Sequence, residues 1–153
     1  MLRLRIYIDT SVIGGCFDEE FKQYSVQLFN EFASREKILV VSDLVLLELE
    51  GASKEVKNLL KKVPEDIIEY VFLNEESIAL AKAYIREGAL TERNLLDARH
   101  IAIATVERVD VLVSWNFKHI VNINRIRLIN SVNLKLGYPM LEIRSPGEVL
   151  YEG

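Results

Sequence analysis

The chain has 153 residues, 50% of them hydrophobic and 27% charged, with 19 Lys and Arg against 23 Asp and Glu for a net charge of −4. This length suits a single domain over residues 1–153 with its own core, and the apolar content excludes intrinsic disorder. A lone Cys16 excludes a disulfide framework and a thiolate-built zinc site, and no apolar run approaches the roughly 18–20 residues of a membrane span.

Met1-Leu2-Arg3-Leu4-Arg5-Ile6 alternates charged and apolar residues, unlike a signal peptide, so a soluble, cytoplasmic protein is expected. Leu2, Leu4, Ile6 and Ile8 share one face of a predicted strand over Leu2–Asp9 that ends at Asp9-Thr10-Ser11. Gly14-Gly15 breaks the chain before a helix over Phe21–Ala33, and Ile38–Val41 reads as a buried strand. Ser42 or Asp43 caps a helix from Leu44 to about Ala52. In Lys54–Val63, residues Val56, Leu59, Leu60 and Val63 form one helical face, and Pro64 stops the helix. A strand over Ile67–Leu73 follows; Asn74-Glu75-Glu76 then opens a helix that Gly88 closes. Asn94–Arg108 reads as a strongly apolar helix, Val109–Ser114 as a buried strand, Asn116–Leu136 as helical, and Met140–Arg144 as a last strand. The alternation predicts an α/β sandwich around a mostly parallel sheet.

Most acids have plain explanations. Asp18-Glu19-Glu20 is a solvated loop or helix start, and Glu50 has Lys54 four residues on, in the orientation of a surface ion pair. Glu48 differs, because its helical neighbours Leu44, Val45, Gly51 and Ala52 supply no base. A carboxylate on that face needs a donor from elsewhere. Asp97 shares a face with Ile101 and Ala104, with Arg93 and His100 as possible partners; the alternative is an ordinary first-turn acid behind an Asn94 cap. Asp9 lies at the C-terminal end of a strand, where ligand crevices form in parallel sheets, or else merely initiates a turn. Ser114-Trp115-Asn116 falls at the equivalent end of a second strand, where Asn116 is a site residue or a helix cap, and Ser11 adds a hydroxyl beside Asp9.

Three carboxylates gathered from separate segments would repel one another. Mg²⁺ or Mn²⁺ offsets that charge with oxygen ligands, activates water and supports in-line displacement at phosphorus. With only His100 and His119 in the chain, a histidine-built zinc site is not expected.

Ile6-Tyr7-Ile8-Asp9-Thr10-Ser11, Val41-Ser42 with Leu46-Leu47-Glu48-Leu49, the run from Leu96-Asp97 to Ala104, and Val111–Phe117 together resemble the PIN domain. The closest likeness is to small VapC-type ribonucleases of toxin–antitoxin pairs, and it covers nearly the whole chain. The resemblance implies an α/β/α fold and metal-dependent hydrolysis of phosphodiesters, usually RNA. It makes Asp9, Glu48 and Asp97 the catalytic, metal-binding acids, with Ser11 and Ser114 as supporting hydroxyls. Asn116 stands where many PIN domains have aspartate; it offers a neutral carbonyl ligand, so one well-bound ion is expected and a second is left open. Hydrolysis would leave a 3′-hydroxyl and a 5′-phosphate. The Asp-x-Asp pattern of a phosphatase fold fails because position 11 is serine.

From Val111 to Leu141 there is no acid, while Lys118, Arg125, Arg127 and Lys135 contribute +4, leaving −8 on the rest of the chain. Together with Asn116, Asn122, Asn124, Asn130 and Asn133, this stretch is expected to hold an RNA backbone, with Lys118, Arg125 and Arg127 binding substrate. The alternative is a solvated helix face, since Arg125 and Arg127 cannot share one side. The family resemblance further implies a small antitoxin partner and a homodimer, to which Tyr24, Val26, Leu28 and Phe29 would contribute. The competing class is a PIN-fold RNA- or protein-binding module without catalysis.

Overall fold

In the computed structural model, which describes residues 2–150, short strands and helices alternate along the chain. Strand β1 (Arg5–Ile8) is shorter than the apolar alternation predicts. Its neighbours begin pairing only at Arg5 and Ile6, which leaves Leu2 98% exposed. Asp9 then starts a helix that the sequence reading takes for a turn, α1 (Thr10–Gly15). Asp18, Glu19 and Glu20 form an exposed turn before α2 (Lys22–Ala33), as expected of a solvated loop.

Strand β2 (Ile38–Ser42) runs into α3 (Asp43–Glu48), and the Ser42 hydroxyl caps this helix by accepting from the Val45 N–H. The predicted extension to Ala52 does not form, because Leu49 caps the helix and Gly51 follows. Glu50 and Lys54 therefore share no helix, and Lys54 instead opens α4 (Lys54–Lys61). Strand β3 (Ile68–Val71) leads to α5 (Glu75–Arg86), capped by Asn74 and closed by Gly88 at φ +83°, a conformation that suits glycine.

Helix α6 (Leu95–Val106) and strand β4 (Val111–Val113) follow. Only the second half of the predicted Asn116–Leu136 helix forms, as α7 (Ile123–Lys135), whose N-terminus is capped by Asn122. Residues 116–121 instead make a tight turn in which the Asn116 carbonyl accepts from the N–H groups of Ile120 (3.1 Å) and Val121 (2.8 Å). Strand β5 (Ile143–Arg144) and a last short helix, α8 (Pro146–Leu150), end the described chain.

The five strands are all parallel in the order β3-β2-β1-β4-β5. Side chains alternate across the sheet. Tyr7, Val40 and Leu112 pack beneath α5, α6 and α7, whereas Ile6, Ile8, Leu39, Val41, Val111 and Val113 pack against α1, α2 and α3. Burying each such aliphatic side chain contributes about 1.5–3 kcal/mol. Two cores, one on each face, make the three-layer α/β/α sandwich that the alternation predicts. Of the four residues expected on a dimer face, Leu28 and Phe29 belong to the second core, Tyr24 is half-buried, and Val26 is exposed.

Strand order reverses between β1 and β4, and a crevice opens beyond the carboxyl ends of two strands at such a point. Close packing holds the crevice floor. A Cβ on Gly15 would lie 2.5 Å from Ser25 Oγ and 2.6 Å from Trp115 Nε1, two atoms that hydrogen-bond each other at 2.8 Å. Gly15→Ala is therefore expected to destabilise by about 1–3 kcal/mol. Gly14→Ala, with nothing within 4 Å, should be neutral or gain up to about 1 kcal/mol from helix propensity. Urea unfolding of the two variants checks the contrast, and equal stabilities would contradict it.

Candidate active site

The first residue after β1 is Asp9, only 5% exposed. Its carboxylate is fixed from both sides, Oδ1 accepting from the Ser11 hydroxyl at 2.5 Å and Oδ2 from the Ser114 hydroxyl at 2.6 Å. Each hydroxyl also accepts a backbone N–H from the exit of β4, Ser11 from Trp115 and Ser114 from Asn116, both at 2.9 Å. The two serines thus tie Asp9 to the exit of β4. Desolvation nevertheless pushes the Asp9 carboxyl above its ordinary range, with the serine hydrogen bonds opposing the rise.

Asp97 lies in the first turn of α6, where Asn94 precedes the helix but makes no side-chain cap. It is half-buried, and desolvation followed by the nearby charge of Asp9 raises its carboxyl, with Glu48 adding to the rise. Glu48, the last residue of α3, differs. Its side chain is 31% exposed, and its Oε1 accepts from His100 Nε2 at 3.0 Å. The imidazole holds this carboxyl below its ordinary range. The donor that the isolated Glu48 face requires therefore comes from α6, and His100 serves Glu48 rather than Asp97.

Asn116 uses both ends of its side-chain amide. Its Oδ1 accepts from the His119 N–H at 3.0 Å, and its Nδ2 donates to Asp97 Oδ2 at 3.3 Å. It thereby caps the 116–121 turn with its oxygen and supports an acid with its nitrogen. Helix capping falls to Asn122 instead.

Among the described residues, no three His, Cys, Asp or Glu side chains close around a point as a complete metal cage. The donor set still suits a hard cation. Asp9 and Glu48 come from other elements than Asp97 yet both raise its carboxyl, and Asp9 and Asp97 are held in unfavourably desolvated positions. Mg²⁺ and Mn²⁺ need few protein carboxylates and complete their shells with water and phosphate oxygens.

Beside Asp97 runs an open groove of about 650 Å³ lined by Thr91, Glu92, Arg93, Asn94, Lys118, His119 and Arg125. Lys118 and Arg125 both line it, with Arg125 anchored by donating to the Ala89 carbonyl at 2.8 Å. Arg127 is exposed on α7 and does not line the groove, and Lys135 pairs with Glu87. Asn130 and Asn133 are buried in structural hydrogen bonds with Leu141 and Tyr84. Sequence reasoning missed Arg93 and His119 as groove residues. The signal available was Arg93 four positions before Asp97, read there as a partner for the acid.

No protein-family model and no curated protein matches the chain. Solved structures do. VapBC2 from Rickettsia felis bound to a promoter DNA fragment is 16% identical with a TM-score of 0.57, over 93% of this chain and 98% of that one. DNA-bound VapBC from Salmonella typhimurium is 18% identical with a TM-score of 0.56, over 94% and 98% of the two chains. VapC20 from Mycobacterium tuberculosis, a sarcin–ricin loop cleaving toxin, is 13% identical with a TM-score of 0.55, over 74% and 92%. The chain therefore has the PIN-like fold of these VapC toxin–antitoxin structures, an all-parallel five-stranded sheet flanked by helices.

Proposed function

We propose that the protein is a Mg²⁺- or Mn²⁺-dependent endoribonuclease, the toxin of a type II toxin–antitoxin pair. The observation that carries this reading is the electrostatic coupling of Asp97 to Asp9 and Glu48 near the sheet's switch point, with a basic groove starting beside Asp97. Asp9 and Asp97 are desolvated, and the charges of Asp9 and Glu48 raise the Asp97 carboxyl further; a cation binding among them would offset that cost. The structural neighbours support the choice of substrate and partner, since one is a loop-cleaving toxin and others are toxin–antitoxin complexes. A small antitoxin covering the crevice is accordingly part of the proposal.

A bound ion would supply a water of lowered pKa and Lewis-acid polarisation of the phosphate. Asp9, Glu48 and Asp97 would hold it. Ser11 and Ser114 keep both Asp9 oxygens aimed, and Asn116 orients Asp97 through its amide N–H. Arg93, Lys118 and Arg125 would hold the phosphodiester backbone leading into the site, through contacts that position RNA without reading its sequence.

Cleavage of a mixed single-stranded RNA pool is expected in Mg²⁺ or Mn²⁺, with loss in EDTA and a fall of about 100-fold or more in Asp9→Asn. Folded wild-type protein that binds RNA but never cuts it would favour the non-catalytic binding module. For RNA binding, Lys118→Gln should weaken affinity and reduce the salt-dependence slope by about 0.7, as for one lost single-strand phosphate contact. Arg127→Gln should leave the slope unchanged, and titrations at several salt concentrations separate the two.

The raised Asp97 carboxyl also predicts a stability effect in EDTA-treated protein. Below the unfolded value of 3.8 both states hold the proton, so no penalty exists there. The penalty grows as pH rises past that value, because the unfolded chain releases the proton first. Asp97→Asn keeps an acceptor for Asn116 and should melt higher than wild type at pH 7. At pH 3 the two should melt alike, and a destabilised variant at pH 7 would contradict the assignment of strain to this acid.

A further inference from the structure

The three acids sit on three different elements, and a buried chain of hydrogen bonds beneath them joins the same three elements. Tyr7 lies on β1 two residues before Asp9, His100 lies on α6 three residues after Asp97, and Ser42 caps α3, whose last residue is Glu48. Tyr7 Oη is 2.8 Å from Ser42 Oγ and 2.6 Å from His100 Nδ1, and His100 Nε2 donates to Glu48 Oε1 at 3.0 Å. Tyr7 and Ser42 are fully buried and His100 is 2% exposed.

An imidazole buried beside Ile101 and Ala104 is costly unless both ring nitrogens are partnered, and here both are. The tyrosine ring also packs edge-on against the imidazole, with centroids 5.8 Å apart, which leaves the ring one orientation. At the outer end of the chain, Glu48 stands at the terminus of a six-residue helix with a partly exposed, rotamer-rich side chain. Nothing on α3 itself restrains it. The bond to His100 fixes Oε1 and is the largest influence on this carboxyl, ahead of the Thr10 hydroxyl on α1.

We propose that His100 is a positioning residue that presents Glu48 to the metal ion, with Tyr7 and Ser42 locking the imidazole in place. This rests on the metallonuclease reading above and adds to it the group that orders its most mobile ligand. Partners behind a metal ligand typically govern about 10–100-fold in affinity or activity.

The test is Mn²⁺ binding by calorimetry, with RNA turnover alongside, in wild type, His100→Leu, His100→Gln and Tyr7→Phe. Leucine fills the volume without a donor, whereas glutamine restores an N–H toward Glu48. The expected result is Mn²⁺ affinity about 10–100-fold weaker in His100→Leu, recovery to within about threefold in His100→Gln, and a kcat loss with little change in KM. A packing role predicts the reverse order, since a buried apolar replacement is often as stable as the polar original. Wild-type Mn²⁺ affinity in a folded His100→Leu protein would overturn the proposal while leaving the nuclease reading standing. If His100→Leu does not fold, Tyr7→Phe, which removes a single oxygen, decides by the same comparison. A wild-type protein that binds no Mn²⁺ and cuts no RNA would remove the nuclease reading and the proposal with it.

Discussion

Desolvation of Asp9 is the constraint around which the neighbouring structure is arranged. A carboxylate this deeply buried needs donors, and the nearest are hydroxyls on two segments far apart in sequence, Ser11 and Ser114. Those same hydroxyls accept the N–H groups of Trp115 and Asn116, so the path of the chain leaving β4 is set by the atoms that hold the acid. The indole of Trp115 donates to Ser25, whose hydroxyl donates to the Val12 carbonyl at 2.9 Å. The acid, the exit of β4, α1 and α2 are thereby parts of one hydrogen-bonded assembly. The tight approach at Gly15 is a consequence of that assembly.

Charge is segregated on the same plan. The acid-free stretch from Val111 to Leu141 carries +4 and lies beside an acidic cluster, yet its cations do not neutralise that cluster. Lys118 and Arg125 face the groove, Lys135 is occupied by Glu87, and Asp97 receives an amide N–H rather than a cation. An anionic backbone drawn along the groove would meet attraction first and the acids last. Such an arrangement is unfavourable for a protein alone and becomes reasonable where a cation and a phosphate complete it.

The sequence made the architecture legible because its signals are local. Alternation marks the strands, apolar content marks α6, and side-chain caps mark the starts of α3 and α5. Asp9, Glu48 and Asp97 stand out as acids set beside apolar sequence, which is also a local signal. What stayed hidden depends on tertiary contact. In sequence terms the acid within reach of His100 is Asp97, and only the packing of α6 over β1 and β2 assigns it to Glu48. Leu28 and Phe29 look alike whether they cover a core or a partner, and the chain uses them for the core. The helix expected from Asn116 onward starts late because an asparagine side chain competes with the helix for backbone N–H groups. Fold likeness to toxins at 13–18% identity adds architecture to this picture, while the chemistry has to be argued from the side chains.

Asn116 shows how the acidic and basic halves are coupled. A carboxylate in its place would sit against Asp97 across the present 3.3 Å contact and would have no proton to donate. It would add a fourth negative charge where two acids are already desolvated, and it would demand more compensating cation. The amide does the opposite with its nitrogen, satisfying one Asp97 oxygen at no cost in charge. Its oxygen meanwhile folds the 116–121 turn by accepting from His119, and that turn carries Lys118 and His119 into the groove wall. One neutral side chain thus supports an acid of the centre and sets the position of cations beside it. The side chain beside Asp97 is thereby committed to holding the groove in register with the acids.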